Sequence, residues 1–162
     1  MDKLHVSAFE IYDKEWALLT AGHEGDYNTM TISWGGLGTL WGKPVATVYV
    51  RPTRYTYDFM EKNDYFTVSF YPEQYRQALT LLGTKSGRDG DKVAEAGLTP
   101  VFLPQGVTFS GARVTLVCKK IYFQTLDLAN MPPEAQRIYA DGRPHRMYIG
   151  EVVEMIQEQP AP

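Results

Sequence analysis

The chain has 162 residues, 44% of them hydrophobic and 22% charged, and these values predict one soluble globular domain spanning residues 1–162. The formal net charge of −3 provides no basic surface for a phosphodiester backbone, so nucleic acid is not an expected partner. No stretch approaches the roughly 20 apolar residues that cross a bilayer, and no apolar run opens the chain, so neither a membrane nor secretion is expected.

The single cysteine, Cys118, cannot form an intramolecular disulfide, which favours a reducing compartment. We therefore expect a cytoplasmic protein. Cys118 shares one face of a predicted strand with Val114 and Leu116, which predicts a buried, inert thiol.

Six runs of alternating or β-branched residues predict strands. In chain order they are residues 16–21, 28–34, 45–51, 65–71, 112–119 and 147–155. A further strand is predicted over residues 121–126, after a bend that follows the fifth run. Gly150 predicts a bulge or a close backbone approach within the last run.

Four short helices are predicted between and after these strands, over residues 53–62, 72–82, 89–96 and 134–140. Short strands dominate, which favours a closed or nearly closed antiparallel barrel with a core over about residues 16–154. Residues 130–144 are expected to be a surface excursion, and the tail after Gln157 to be loose.

The first candidate binding segment is the strand over residues 28–34. Alternation places three hydroxyl side chains on one face, namely Thr29, Thr31 and Ser33. The other face carries Met30, Ile32 and Trp34. The hydroxyl face is suited to hydrogen bonds with a polyol chain or a phosphate, and it is equally typical of a solvated strand face.

The second candidate is the segment from Arg51 to Thr56, in which Pro52 ends a strand and a helix begins at Thr53 or Arg54. A helix N-terminus has unpaired N–H groups, and two guanidinium groups and two hydroxyls stand beside this one, so an anion site is predicted. Exposed arginines beside an ordinary helix cap are the alternative.

The third candidate is the loop over residues 83–92, which contains three glycines, two hydroxyls and three cations ahead of a predicted helix. Such a loop can direct backbone N–H groups toward a phosphate, although the spacing is not that of a Walker A loop. A flexible loop with paired charges is the alternative. The glycines of residues 35–44 predict only a tight connection in which Trp34 and Trp41 pack.

Other chemistries have little support in the sequence. His5, His23 and His145 lack the spacing of a metal site, and no serine-hydrolase elbow is present. Aromatic residues make up 13% of the chain, which suits a β-rich domain and also a site for a flat conjugated ligand.

Taken together, these segments resemble the flavin reductase-like FMN-binding split-barrel family, nearest its flavoredoxin-like branch. The resemblance is carried, in order, by residues 28–35, 51–56, 86–92 and 145–152. It implies a mainly β fold with short helices, a six-stranded antiparallel Greek-key split barrel. It also implies a homodimer with FMN near the subunit interface.

The resemblance implies a set of cofactor-binding residues. The strand would line the flavin ring and ribityl chain with Asn28, Thr29, Met30, Thr31, Ser33 and Trp34. Around the ribityl phosphate would lie Arg51, Thr53, Arg54, Tyr55, Thr56, Ser86, Gly87, Arg88 and Lys92. His145 is a possible contact on the nicotinamide side, and the residues before it (141–144) could shape that side.

The implied activity is that of a flavin reductase, in which hydride passes from NAD(P)H to flavin N5 and electrons continue to a small-molecule acceptor or a redox protein. The flavin carries this chemistry, so no side chain is expected to act as an acid or base, and no metal is expected. The alternatives are a non-catalytic FMN-binding electron carrier reduced by a protein partner, and a barrel that binds no flavin.

Overall fold

The computed structural model describes residues 1–158 and consists mainly of β-strands with short helices. The strands are β1 (Ala17–His23), β2 (Asp26–Ile32), β3 (Gly35–Leu40), β4 (Lys43–Val50), β5 (Tyr65–Phe70), β6 (Pro100–Leu103), β7 (Gly106–Phe109), β8 (Val114–Thr125) and β9 (Arg146–Gln157). The helices are α1 (Tyr55–Lys62), α2 (Arg76–Thr84), α3 (Lys92–Glu95) and α4 (Pro133–Ile138).

Seven strands form one antiparallel sheet in the order β2-β1-β5-β8-β9-β4-β3. The edge strands β2 and β3 are separated in sequence only by Ser33 and Trp34, so the two edges approach within about 11 Å there. The sheet therefore curls on itself and stays split between β2 and β3. This split is the feature that positions the site described below.

The curled sheet encloses the larger of two apolar cores. Apolar side chains from all seven strands meet inside it, among them Leu19, Ile32, Val48, Phe66 and Leu116, and helix α1 adds Phe59 and Met60. A second core lies on the outer face of β1, where Leu18 packs with residues of α2, α3 and β7. Strand β1 is thus buried on both faces, which suits its largely apolar sequence.

The strand count differs from the expectation: nine strands lie within residues 1–158, seven in the main sheet and two in a hairpin, rather than six. The predicted tight connection over residues 35–44 is instead the hairpin β3–β4. Its turn, Trp41-Gly42, has positive φ angles of 51° and 70° at both central residues, as a two-residue hairpin of this kind needs. Strand β3 was missed because three of its six residues are glycines, which leaves no apolar alternation to recognise.

Two predictions in the β8–β9 region are confirmed. A Cβ atom on Gly150 would lie 2.5 Å from Phe66 Cζ and 2.7 Å from Cys118 Cβ, so the backbone approaches closely there, and the β8–β9 register shifts beside it. Cys118 is fully buried, and burial raises the pKa of its thiol well above the usual range. The strand predicted over residues 121–126 is a continuation of β8.

The helices overlap the predicted ranges, but two of them begin later: α2 begins at Arg76 rather than at residue 72, and α3 begins at Lys92 rather than at residue 89. Arg54, rather than Thr53, precedes the first residue of α1, and α2 continues through Gly83 to Thr84. Residues 126–145 join β8 to β9 as the expected excursion, which contains α4. The predicted loose tail after Gln157 lies almost wholly outside the described residues. Within residues 1–158, no helix has the length and apolarity that a membrane span requires.

Candidate functional site

Three adjoining cavities run along the split in the sheet. The first, here called the cationic pocket, has a volume of about 300 Å³. Its walls come from the start of α1, from the loop after α2, from β2 and from α3. It is lined by Asn28, Thr53, Arg54, Tyr55, Thr56, Gly83, Thr84, Lys85, Ser86, Gly87, Arg88 and Lys92.

Asn28 joins the two main walls of the cationic pocket. Its side-chain amide donates a 2.8 Å hydrogen bond to Thr56 Oγ1 at the start of α1. On the opposite side, a Cβ atom on Gly87 would lie 2.1 Å from Asn28 Oδ1 and 3.1 Å from Tyr55 Cδ2. Glycine is therefore required at this position, because any side chain would push the loop away from β2.

Two cations, the buried Lys92 and the half-buried Arg54, face the cationic pocket without a carboxylate partner among residues 1–158. Arg54 donates to the carbonyl of Gly83 at 3.2 Å, and Lys92 donates to the carbonyls of Leu82 and Lys85 at 3.1 and 3.0 Å. Both cations thus lie at the C-terminal end of α2, where the helix dipole favours positive charge.

These contacts only partly compensate for the burial of the two charges. Burial, together with the nearby Arg54, lowers the pKa of Lys92 to about 8, and burial also lowers the pKa of Arg54. An anion in the cationic pocket would relieve both effects. Helix α1 begins at the same pocket and adds the positive end of its dipole, so the pocket is suited to a phosphate group.

Two further cations at the rim of the cationic pocket are already engaged. The Arg88 guanidinium lies over the Tyr55 ring at 4.7 Å and is 3.5 Å from the Asp58 carboxylate. Lys85 is paired with Glu95. Both pairs are exposed and exchangeable with a ligand, because exposed ion pairs contribute little free energy.

The second cavity, here called the connecting cleft, has a volume of about 200 Å³ and meets the cationic pocket at Arg54. It is lined by Met30, Thr31, Ile32, Ser33, Trp34, Tyr49, Arg54 and His145. Because Ser33 and Trp34 cross from β2 to β3, the cleft follows the split between these strands. It is a narrow passage that leads from the cationic pocket to the third cavity.

The third cavity, here called the aromatic pocket, has a volume of about 510 Å³. It shares Ser33, Trp34, Tyr49 and His145 with the connecting cleft. Its remaining walls come from the N-terminal segment and from the excursion between β8 and β9. They are Ala8, Phe9, Tyr12, Asp13, Gly35, Leu126 and Tyr139.

His145 stands at the boundary between the connecting cleft and the aromatic pocket. Its Nδ1 lies 2.6 Å from the Tyr139 hydroxyl, and its ring centroid is 5.1 Å from that of Trp34. Burial and the charges of Arg51 and Arg54 lower the pKa of His145 to about 4. The imidazole is therefore neutral at pH 7 and serves as a hydrogen-bonding group rather than as a charge.

Thirteen of the fifteen predicted cofactor-binding residues line the cationic pocket or the connecting cleft, and Thr29 and Arg51 do not. Thr29 is fully buried and bonds the Thr20 hydroxyl and the Leu19 carbonyl. The three hydroxyls therefore do not form one open row. Trp34 is 48% exposed because the strand ends at Ile32.

Arg51 turns toward the excursion between β8 and β9. Its guanidinium donates to both carboxylate oxygens of Asp141 at 2.8 and 2.7 Å and lies over the Tyr139 ring. The segment from Arg51 to Thr56 thus supplies one cation to the cationic pocket rather than two. Thr31 lines the connecting cleft, but its hydroxyl is engaged with the Leu79 carbonyl of α2 at 2.5 Å.

Several lining residues were missed as cofactor contacts. Gly83, Thr84 and Lys85 belong to the loop that the sequence singled out, so their composition was the available signal. Nothing in the local sequence marked Tyr49 or Tyr139 as a lining residue, because Tyr49 lies within a strand and Tyr139 within the excursion. Residues 1–158 contain no group of three His, Cys, Asp or Glu side chains arranged to hold a metal ion.

A family model described as "flavin reductase like domain" matches residues 11–162. A comparison with curated proteins found no match. Many solved structures share the fold, among them three that are 14–22% identical to this chain. At such identities the likeness shows the fold alone.

Two of these structures cover 98% of this chain. Flavoredoxin of Desulfovibrio vulgaris (Miyazaki F) is 22% identical, with a TM-score of 0.71 over 78% of its own length. An FMN-binding protein from Thermus thermophilus, solved with bound 1-cyclohex-2-enone, is 21% identical, with a TM-score of 0.72 over 81% of its length. A nitrilotriacetate monooxygenase component B homologue from Mycobacterium thermoresistibile is 14% identical and has a TM-score of 0.71, covering 91% of this chain and 71% of its own.

Proposed function

The chain belongs to the flavin reductase-like domain family, and from this premise we propose that it is an FMN-dependent oxidoreductase, an NAD(P)H-dependent flavin reductase. The observation that carries the proposal is a pair of cations, the buried Lys92 and the half-buried Arg54, in a pocket that opens through the connecting cleft into the aromatic pocket. This arrangement fits a ligand that has a phosphate group at one end and a flat ring toward the other. The FMN-binding and flavoredoxin names of the structural neighbours support the same choice.

Each end of the site has a separate task. Arg54, Lys92 and the start of α1 would hold the ribityl phosphate by charge-assisted hydrogen bonds. Trp34 and the backbone of β2 would lie against the flavin, and the aromatic pocket would keep one side of the ring accessible. When bound, FMN would supply two-electron redox chemistry between NAD(P)H and a second acceptor.

We include a homodimer in the proposal. Exposed aromatic side chains of the β3–β4 turn and of β8 support it: Trp41 is 64% exposed, Phe123 is 50% exposed, and Trp41 lies edge-on to Tyr122 at 6.5 Å. Exposed apolar clusters of this kind are typical of protein interfaces.

The experiment that tests the function is an absorption spectrum of the protein after addition of FMN and desalting, followed by anaerobic NADH and NADPH. Retained flavin bands that bleach on addition of a nicotinamide cofactor are the expected result. Retained bands that persist with both nucleotides would instead identify an electron carrier reduced by a protein partner. Complete loss of flavin on desalting, with no binding by titration, would contradict the proposal.

The cationic pocket is tested by removing its charges one at a time. We expect Arg54→Gln and Lys92→Met each to weaken FMN binding by about 1–3 kcal/mol, because each loses one charge-assisted bond to the phosphate. Lys43→Met is the matched control, since Lys43 is an exposed cation paired with Glu151 outside the three cavities. Unchanged FMN affinity in both pocket variants, measured by fluorescence quenching, would refute the phosphate assignment.

A further inference from the structure

We propose that the aromatic pocket binds the electron acceptor, that this acceptor is a flat, uncharged conjugated carbonyl compound such as a quinone, and that His145 donates a hydrogen bond to its oxygen. The proposal rests on the proposed function, because the flavin must first be reduced. It goes further by selecting one acceptor class and one side chain that recognises it.

The shape and chemistry of the aromatic pocket favour a flat ring. Six ring-bearing side chains line it, namely Phe9, Tyr12, Trp34, Tyr49, Tyr139 and His145. Aromatic walls gain free energy by stacking against or packing edge-on to a ligand ring, and about 510 Å³ is ample for one or two fused rings. The pocket meets the connecting cleft at four shared residues, so a ligand in it would lie beside the proposed flavin.

The charges of the aromatic pocket disfavour an anionic acceptor. The one charged lining residue is Asp13, whose side chain is 68% exposed and lies 3.9 Å from Lys14. A negatively charged ferric chelate would find no cation on these walls and would meet a carboxylate instead. An uncharged acceptor is the class that these walls accommodate without a desolvation penalty.

His145 is oriented for donation by Tyr139. The Tyr139 hydroxyl and the imidazole Nδ1 lie 2.6 Å apart, and of the two directions that the tautomers of a neutral imidazole allow, we assign the hydroxyl as the donor. A neutral imidazole that accepts at Nδ1 carries its proton at Nε2. Nε2 has no hydrogen-bond partner within the described part of the chain, and His145 lines both the connecting cleft and the aromatic pocket. The N–H is therefore available to a carbonyl oxygen.

The surrounding charge favours reduction of that carbonyl. Arg54 lines the connecting cleft together with His145, and Arg51 lies over the ring of Tyr139, the hydrogen-bond partner of His145, so both positive charges stand behind the donor rather than on the wall of the aromatic pocket. Their positive field stabilises negative charge that develops on the oxygen as electrons arrive. The overall reaction balances as quinone plus NAD(P)H plus one proton from solvent, giving hydroquinone plus NAD(P)⁺. The C4–H bond of the nicotinamide breaks, and two O–H bonds form.

The test compares two ligands of similar shape on the FMN-loaded protein, with calorimetry as the readout so that turnover is not needed. Acetophenone has a conjugated carbonyl, and ethylbenzene lacks it. We expect His145→Phe to weaken acetophenone binding about tenfold, His145→Gln to restore most of it through its amide donor, and ethylbenzene to bind weakly and equally to all forms. His23→Phe is the control, because His23 is exposed and lies outside the three cavities.

Two results would overturn the proposal while leaving the proposed function intact: acetophenone binding as tight to His145→Phe as to the wild type, or ethylbenzene binding as tight as acetophenone. Absence of flavin bands in the loaded wild-type protein would instead contradict the proposed function itself. A second readout is the ¹⁵N NMR spectrum of His145. Protonation at Nε2 in the wild type and a mixture of tautomers in Tyr139→Phe are expected, whereas protonation at Nδ1 in the wild type would contradict the donor assignment.

Discussion

The cationic pocket and the aromatic pocket are assembled from the chain in different ways. Most residues of the cationic pocket come from two short segments, 53–56 and 83–88, with Asn28 and Lys92 added by β2 and α3. The aromatic pocket draws on the N-terminal segment, the β2–β3 connection, the start of β3, β4 and the excursion, including both of its ends. The cationic pocket is therefore built mainly from two short stretches of sequence. The aromatic pocket forms only when the curled sheet brings distant segments together.

The two pockets also differ in what holds them together. Hydrogen bonds and close backbone packing fix the cationic pocket, as at Asn28, Thr56 and Gly87. Ring packing and the single Tyr139–His145 hydrogen bond define the aromatic pocket. A single substitution in the cationic pocket should therefore cause a large loss of phosphate affinity. A single substitution in the aromatic pocket should cause only a small loss of ligand affinity.

The largest expected effect comes from Gly87→Ala. The added methyl group would meet Asn28 Oδ1 at 2.1 Å, and because Asn28 is held by Thr56, the loop must move. We expect FMN affinity to fall by about 2–3 kcal/mol, the upper range for overpacking a tight contact. Gly36→Ala is the control, since a Cβ atom there would meet nothing within 4 Å. Equal FMN affinity in the two variants would show that the loop need not pack against β2.

A smaller effect is expected from pH. The free protein holds the Lys92 pKa at about 8, so raising the pH from 7 to 9 removes its charge. A bound phosphate stabilises the charged form, and FMN affinity should therefore fall about tenfold over this interval. Lys92→Met should bind FMN more weakly but with little change across the same range. The same slope in wild type and variant would exclude Lys92 as the titrating group.

The smallest effect concerns the wall of the aromatic pocket. The Tyr12 hydroxyl is buried without a hydrogen-bond partner among residues 1–158. We expect Tyr12→Phe to raise the free energy of unfolding by about 1 kcal/mol in urea denaturation, because an unsatisfied buried group is removed. Tyr71→Phe should lower it by a similar amount, since that buried hydroxyl donates to the Phe109 carbonyl at 3.3 Å. A lower free energy of unfolding in Tyr12→Phe would contradict the conclusion that the Tyr12 hydroxyl is buried without a hydrogen bond.

The contrast between the pockets explains what the sequence predicted. Strands such as β1 and β5 have continuous or alternating apolar residues and could be recognised from local pattern. Strand β3 could not, because its glycines have no side chains to alternate. The hairpin of β6 and β7, four residues each, is too short to be distinguished from a loop.

The same reasoning applies to individual site residues. Arg54 and Lys92 were predicted because a helix start and a glycine-rich loop are local features. Arg51 was assigned to the same pocket, yet it pairs with Asp141, ninety residues further along the chain. Thr29 followed the correct alternation, but its face is covered, and its hydroxyl bonds Thr20 of β1. Which face of a strand stays open depends on the elements packed over it, and local pattern does not contain that information.

The most direct measurement is a calorimetric comparison of FMN with riboflavin, which differs only in lacking the phosphate. If Arg54 and Lys92 hold that phosphate, the wild-type protein should bind FMN about a hundredfold more tightly than riboflavin, and Lys92→Met should reduce the ratio by about tenfold. Equal affinities for FMN and riboflavin in the wild-type protein would contradict the assignment of the cationic pocket, and with it the proposed placement of the flavin.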